Sequence, residues 1–397
     1  MKSRVLVVIA ATWTAILTGV SLTGQLATSV PGDPLPGISP LEFEEFRLGL
    51  NTFKEVETVD DGLGPAFNAT SCSACHSVPA IGGISPMTEV RAGRRDPDGT
   101  FHPLEPRGNT IFQSFSLPNH LCQPVLPETT NVVARRMPIP VFGDGLVEAI
   151  LDDTLLALED PSDRNRDGVT GRASIVTDPI TRERRVGRFG WKAQSATLLS
   201  FAGGAYRDEM GITNEVFPVE LAFGIDPEQL KRCDLTPDPE DRRDPATGRR
   251  DIDNFAAFMR FLAPIGRAPI TAIVREGELV FAAIGCAACH IPALVTGPSS
   301  NPVFNRKTVP LYSDLLLHTI GTGDGITEND STGTPDEIKT PALWGLRLRR
   351  PFLHDGSAST LEEAIRRHLG EADLARQGFN SLDDQSRAAL LTFLRSL

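Results

Sequence analysis

The sequence predicts a mainly α-helical chain built from two similar units, with a large loop-rich insertion in the first. Three observations predict it. One pentapeptide pattern occurs twice, as Cys72-Ser73-Ala74-Cys75-His76 and Cys286-Ala287-Ala288-Cys289-His290. Each copy follows a segment whose apolar residues recur at helical spacing. Between the copies, from about residue 91 to 188, that spacing fades into a stretch rich in Pro, Gly, Asp and Arg.

In chain order, Lys2 and Arg4 precede an apolar run from Val5 to Val20, the charged and hydrophobic parts of an export signal. Ala27-Thr28-Ser29 is the best cleavage site, so residues 1–29 read as a signal peptide, or as an N-terminal anchor if uncleaved. Only an uncleaved segment would hold the chain to a membrane. Either way the body lies outside the cytoplasm, and a periplasmic location is expected. Ser39-Pro40-Leu41-Glu42 reads as a capping box with Pro at the first helical position, and Leu41, Phe46, Leu50 and Phe53 would line one face. A weak helical run spans Leu146 to Leu158 within the insertion. Asp234 to Arg250 is charged and Pro-rich, a surface loop or linker. Asp253 would cap a helix from Asn254 to Leu262, which closes the first unit at residues 39–265. In the second unit, 266–397, Ile273, Gly277, Phe281 and Ile284-Gly285 stand at helical spacing just before Cys286. Thr360 with Glu363, or Ser359 with Glu362, starts a helix, and Leu382 to Ser396 presents Leu390, Leu391, Leu394 and Leu397 on one face.

Cys-x-x-Cys-His is the attachment pattern of c-type haem. Two thiols one helical turn apart can each form a thioether to a haem vinyl group, and the adjacent His then reaches the iron as proximal ligand. Two covalently bound haem c groups are therefore expected, with His76 and His290 on the metals. A redox dithiol or half of a zinc site is the bland alternative, but neither copy has further Cys or His at short spacing. A helix with Gly and Phe just ahead of such a motif resembles the first helix of cytochrome c domains, so each unit is read as cytochrome c-like. The remaining cysteines, Cys122 and Cys233, form either a disulfide or two separate buried thiols.

The net charge of −12 gives no nucleic-acid footprint and suits a basic partner such as a small redox protein. For the sixth position on the second iron, His368 falls on the apolar stripe of Leu361, Ala364 and Ile365, with His318 and His354 as competitors. No Met follows Met259. The first iron has only scattered candidates, His102, His120, Met87, Met137 and Met210. Arg347, Arg349 and Arg350 could pair with haem propionates.

Gly187-Arg188-Phe189-Gly190-Trp191-Lys192-Ala193, Asp208-Glu209-Met210-Gly211-Ile212-Thr213, Thr340-Pro341-Ala342-Leu343-Trp344-Gly345-Leu346 and Pro351-Phe352-Leu353-His354-Asp355-Gly356 resemble the di-haem oxidoreductase family. That family is related to bacterial di-haem cytochrome c peroxidases and to the di-haem enzyme that matures a quinone cofactor. The resemblance runs from about residue 40 to the C-terminus. It implies a peroxide-reducing enzyme, with hydrogen peroxide as substrate and Trp191 as the electron relay between the haems. Glu209 is then the acid–base over the peroxide-binding iron. It also implies that the His368 segment supplies the second haem's ligand, where relatives offer Met or Tyr. His/His ligation lowers a haem potential relative to His/Met. Two other functions stay open, a pure electron-transfer cytochrome and a peroxide-dependent oxidase of an organic or protein substrate. Asp163-Arg164-Asn165-Arg166-Asp167-Gly168 matches the start of a calcium loop, with Ser174 where an EF-hand has Glu. The calcium of related di-haem enzymes makes it a candidate site, against an Asx-rich surface turn.

Overall fold

The computed structural model describes residues 30–104, 109–118, 122–221, 223–234, 236–328 and 331–397. The segment read as a signal or anchor, and His120, lie outside them. Among the described residues no helix is long and apolar enough to cross a membrane. Helix exceeds strand, 31% against 13%. The helices in chain order are α1 Pro40–Lys54, α2 Cys72–Cys75, α3 Asp144–Glu148, α4 Asp152–Leu156, α5 Leu198–Met210, α6 Pro227–Cys233, α7 Asp251–Phe261, α8 Ala272–Ala283, α9 Leu361–Arg366, α10 Asp373–Ser381 and α11 Asp384–Leu394.

α1 begins as its sequence dictates. Ser39 Oγ accepts the Glu42 N–H at 3.3 Å, the Glu42 carboxylate accepts the Ser39 N–H at 2.6 Å, and Pro40 opens the first turn. The helix buries Phe46, Gly49 and Phe53 against α7. Gly49 is required at the crossing, because a Cβ there would lie 2.2 Å from the Asn254 carbonyl oxygen. α8 repeats the device against α11: a Cβ on Gly277 would lie 2.0 Å from the Ala389 carbonyl oxygen. In both helices a Phe four residues on, Phe53 or Phe281, packs toward the following motif, 6.1 Å from the His76 ring and 6.3 Å from the His290 ring. Leu41 and Ile273, expected on the buried faces, are exposed (71% and 43%). Each sits in a first turn, short of the crossing.

α7 starts at Asp251, three residues before the expected start, and Asp253 occupies its first turn and reaches back to the Arg250 N–H at 2.9 Å. Its free N–H groups are met by Asp241, which accepts from Asp251 at 2.9 Å and Ile252 at 3.3 Å. That cap comes from ten residues upstream, out of reach of a local pattern. α11 likewise starts at Asp384, behind Asp383, rather than at Leu382.

The segment 91–188 is not simply loop. Strand Glu89–Arg95 pairs antiparallel with Phe101–Pro103, Ile111–Phe112 and Val132–Arg136 in the largest sheet, and Ile175–Thr177 pairs with Arg184–Val186. The strands lack a period-two apolar signal because buried positions on them are Arg91 and Arg136. Two hydrophobic clusters fill the interior. The larger takes in α1, α3, α5 and α7 together with Leu294, Val303, Phe304 and Leu311. The smaller joins α8, Tyr312 and α11. Cys122 and Cys233 are bridged, the first of the two arrangements left open by the sequence. The described residues of 234–250 form no helix or strand, as expected, yet Glu240 and Asp241 among them are buried.

Candidate active site

The first motif opens on a short helix because Ser71 caps it, its Oγ accepting the Ala74 N–H at 3.2 Å. α2 then puts Cys72 and Cys75 one turn apart as free thiols. Burial pushes both thiols up, Cys75 to about 12, so neither is a ready thiolate nucleophile. His76 Nδ1 lies 3.0 Å from the Gly83 carbonyl oxygen. A carbonyl only accepts, so Nδ1 carries the proton and Nε2 keeps its lone pair. Burial holds the ring below its usual pKa, so it is neutral near pH 7.

Glu209, on the last turn of α5, faces this motif. Its carboxyl is pushed well above the usual range, first by loss of water and then by the charge of Glu89, to which it is hydrogen-bonded. Asn68 Nδ2 donates to Glu209 Oε2 at 2.9 Å. Two carboxyls can share a hydrogen bond only if one keeps its proton. Burial works against ionising Glu89, but Arg91 and Arg136 overcome it, so Glu89 carries the charge and Glu209 the proton. Gln113, missed in the sequence, donates to the Asp208 carbonyl at 3.2 Å, while its buried Oε1 has no partner.

The second motif starts behind Gly285, whose φ of 92° turns the chain from α8 into a single 3₁₀ turn, Cys286–Ala288. His290 repeats the geometry of His76, Nδ1 lying 2.9 Å from the Tyr312 carbonyl oxygen, and burial lowers its pKa to about 4. Across a cavity of about 460 Å³ stands His368, two residues past the end of α9. Its Nδ1 lies 2.7 Å from the Ala364 carbonyl oxygen, so its Nε2 is also free, and burial keeps the ring neutral. His318 lines the same cavity but spends both nitrogens, on Asp314 at 2.8 Å and Glu371 at 2.9 Å. Burial opposes its charge, yet these carboxylates raise its pKa to about 12 and leave it no lone pair to give. His354 lines the cavity with a buried Nδ1 that has no partner.

The cavity is largely apolar; besides His318 and Arg376, which are paired with carboxylates, it holds Lys339 and Arg349. Burial lowers both, Lys339 to about 8 despite the carboxylates of Asp144 and Asp314, and Arg349 to about 10. Of the three arginines expected near the cofactor, Arg349 alone lines the cavity; Arg347 bonds the carbonyls of Gly266 and Leu397, and Arg350 is exposed. Trp191 forms part of the wall, its Nε1 donating to the Met137 carbonyl at 2.8 Å and its ring edge-on to His354 at 6.1 Å. Ile84, beside the carbonyl that holds His76, lines the same cavity.

A buried chain of charges runs between the two sites. Arg91 meets Glu89 at 2.8 Å and Glu328 at 3.6 Å, and Arg136 meets Glu328 at 2.5 Å and Asp324 at 2.7 Å. Lys192, next to Trp191, reaches Asp324 at 3.1 Å. With Glu209 neutral, three cations face three anions. No sequence pattern signals this set, since its members come from four distant segments.

Among the candidates for the first iron, Met210 is buried in the larger hydrophobic cluster, Met87 is 43% exposed and Met137 lines the other cavity. His102 is 2.7 Å from Asp96 in the sheet. In the expected calcium loop, the side chains of Asp163, Asn165 and Asp167 accept N–H groups of the loop itself, and Ser174 Oγ turns away to Ser331 at 2.8 Å.

The residues present fit haem at both motifs: paired thiols, an imidazole with a free Nε2, and at the second an apolar cavity of cofactor size with cations for an acidic edge. Residues 119–397 match the family described as "Di-haem oxidoreductase, putative peroxidase". A cytochrome c551 peroxidase of Nitrosomonas europaea is 30% identical over 122 residues, 31% of this chain and 33% of that protein, so the match spans about a third of that relative. Among solved structures, a hydrazine synthase of Kuenenia stuttgartiensis aligns over 100% of both chains at 15% identity and a TM-score of 0.43. A di-haem peroxidase of Burkholderia thailandensis aligns over 89% of this chain and 86% of its own at 16% identity and a TM-score of 0.39. The match over residues 119–397 is what decides the family: the chain belongs to the di-haem oxidoreductases.

Proposed function

We propose that the chain is a periplasmic di-haem c-type oxidoreductase that reduces hydrogen peroxide to water with electrons from a small redox protein. In this reading residues 39–265 and 266–397 are cytochrome c-like units, a division supported by the repeated order of helix, crossing glycine, phenylalanine and motif. Cys72, Cys75, Cys286 and Cys289 hold the two haems covalently, His76 and His290 bind their irons, and His368 is the second ligand of the C-terminal one. Bound there, haem supplies one-electron chemistry and the metal at which peroxide is cleaved. The chain's own residues handle protons and placement. Splitting an O–O bond heterolytically needs a proton moved from the inner to the outer oxygen. Glu209 is suited to it, because it is a carboxylic acid kept neutral beside the first motif and lined up by Asn68. Trp191, which shares the wall of the second cavity with Ile84, is suited to the relay, and acidic surface favours a basic donor.

The single observation that carries this reading is the Glu209 carboxyl, buried beside the first motif, held by Asn68 and raised well above the usual range by loss of water and the charge of Glu89. The test is peroxide consumption by the haem-loaded Glu209→Gln protein. Turnover falls on the order of 100-fold or more, the scale of general acid–base catalysis, with the resting spectrum unchanged. Turnover equal to that of the parent protein removes Glu209 from the mechanism.

A further inference from the structure

We infer that Glu220, Asp234, Asp238 and Glu240 form a binding site for a divalent cation of the calcium class, separate from both haem motifs and from the Asp163 loop. One carboxylate oxygen from each of the four lies within 4.8 Å of the others. Calcium binds oxygen at roughly 2.3–2.6 Å, so two of its ligands stand at most about 5 Å apart, and all four oxygens fall inside that limit.

A cluster of acids alone would be weak ground, because exposed carboxylates collect on many surfaces. Here two of the four are buried. Glu220 is 7% exposed and Glu240 9%. Glu220 Oε1 accepts the Leu221 N–H at 2.8 Å, but its Oε2 is buried with no hydrogen-bond partner. Glu240 Oε2 is met by Thr213, whose N–H lies at 2.6 Å, while its Oε1 is likewise buried and unpartnered. Two buried carboxylate oxygens left without a partner, on two members of one acidic cluster, are a heavy cost unless something positive joins them.

Among the described residues no basic side chain takes that part. The charges acting on Glu220 are Glu240, Asp234 and Asp238, all negative. Arg242, close in sequence, turns its guanidinium to the carbonyls of Pro237 and Pro239. The anionic oxygens and the neighbouring Thr213 hydroxyl are hard donors that suit calcium over a thiophilic metal.

The place of the site gives it a use. Thr213 lies four residues past Glu209, and Asp234 directly follows Cys233 of the disulfide. A cation here would pin the segment after α5 to the α6 end and fix the turn that carries Glu209. It would act as a clamp on the first haem site, not as part of the reaction.

The test uses the oxidised, haem-loaded full chain, stripped with EDTA and titrated with calcium by calorimetry, with thermal unfolding alongside. Magnesium is titrated in parallel. The parent protein takes up one calcium per chain saturably and unfolds at a higher temperature with it. Glu220→Gln/Glu240→Gln weakens that affinity at least 100-fold. Because it removes repulsion, the double variant without calcium is at least as stable as the stripped parent at pH 8, which separates lost binding from misfolding. Asp163→Asn leaves calcium uptake unchanged. Absence of calcium uptake by the parent, or undiminished uptake by the double variant, overturns the proposal.

Discussion

Three histidines share one device: a backbone carbonyl fixes the proton on Nδ1 and frees Nε2, at His76, His290 and His368 alike. His318 shows the contrast, with carboxylates on both nitrogens. That difference ranks the candidates for the second iron and gives a direct prediction. In the haem-loaded protein His368→Met raises the potential of one haem and leaves the other in place, followed by spectroelectrochemical titration. Two unmoved potentials would hand the role to His354. Another residue speaks through pH. Glu57 is buried, accepts the Tyr206 hydroxyl at 3.0 Å, and has its pKa raised by burial to about 7. Above pH 4.5 the unfolded chain releases this proton while the folded chain keeps it. Folding stability from this group therefore falls as pH climbs from 4.5 to about 7, by at most about 3 kcal/mol. Urea unfolding at pH 5 and pH 8 should show that loss in the parent and its disappearance in Glu57→Gln. The motifs and His368 stood out in the sequence because each has a local signature, and Trp191 only through the family resemblance of its segment. Gln113, Glu89 and Lys339 did not, because only folding sets them beside their sites.

At the scale of elements, both motifs rest on the same joint, a helix crossing made possible by one glycine. Gly49 and Gly277 leave no room for a methyl group against the Asn254 and Ala389 carbonyls. Alanine is the better helix former, so local propensity favours the substitution and only the crossing opposes it. Gly49→Ala and Gly277→Ala should each cost about 1–3 kcal/mol, as overpacked sites do, read as a lower urea midpoint. A gain in stability at either would mean that the helices do not approach so closely. The helices themselves were readable from caps and spacing: Ser39 and Glu42 mark α1, and Thr360 with Glu363 marks α9. Boundaries failed where the cap was remote, as with Asp241 before α7. The sheet around Glu89–Arg95 failed for a different reason. Its buried Arg91 and Arg136 look like surface residues until their partners, Glu328 and Asp324, arrive from the far end of the chain.

Those same pairs tie the whole molecule together, since strands near residues 89 and 136 meet residues 324 and 328 across the two motifs. Asp324 is the pivot. Its side chain is 2% exposed and holds both Arg136 and Lys192, and although burial opposes its charge, these two keep its pKa down at about 2. Replacing it by Asn keeps the shape but leaves two buried cations sharing one fewer anion. Breaking a buried pair in this way costs roughly 3–5 kcal/mol, more than deleting the pair outright. Asp324→Asn should therefore be strongly destabilising in urea unfolding. Adding Lys192→Met removes one of the stranded charges at the site beside Trp191, so the double variant should be more stable than the sum of the two single losses. A coupling of about 0.5–3 kcal/mol is the range for residues in one network. Simple additivity would mean that the two act separately, and the charges between the motifs would then be neighbours without being a unit.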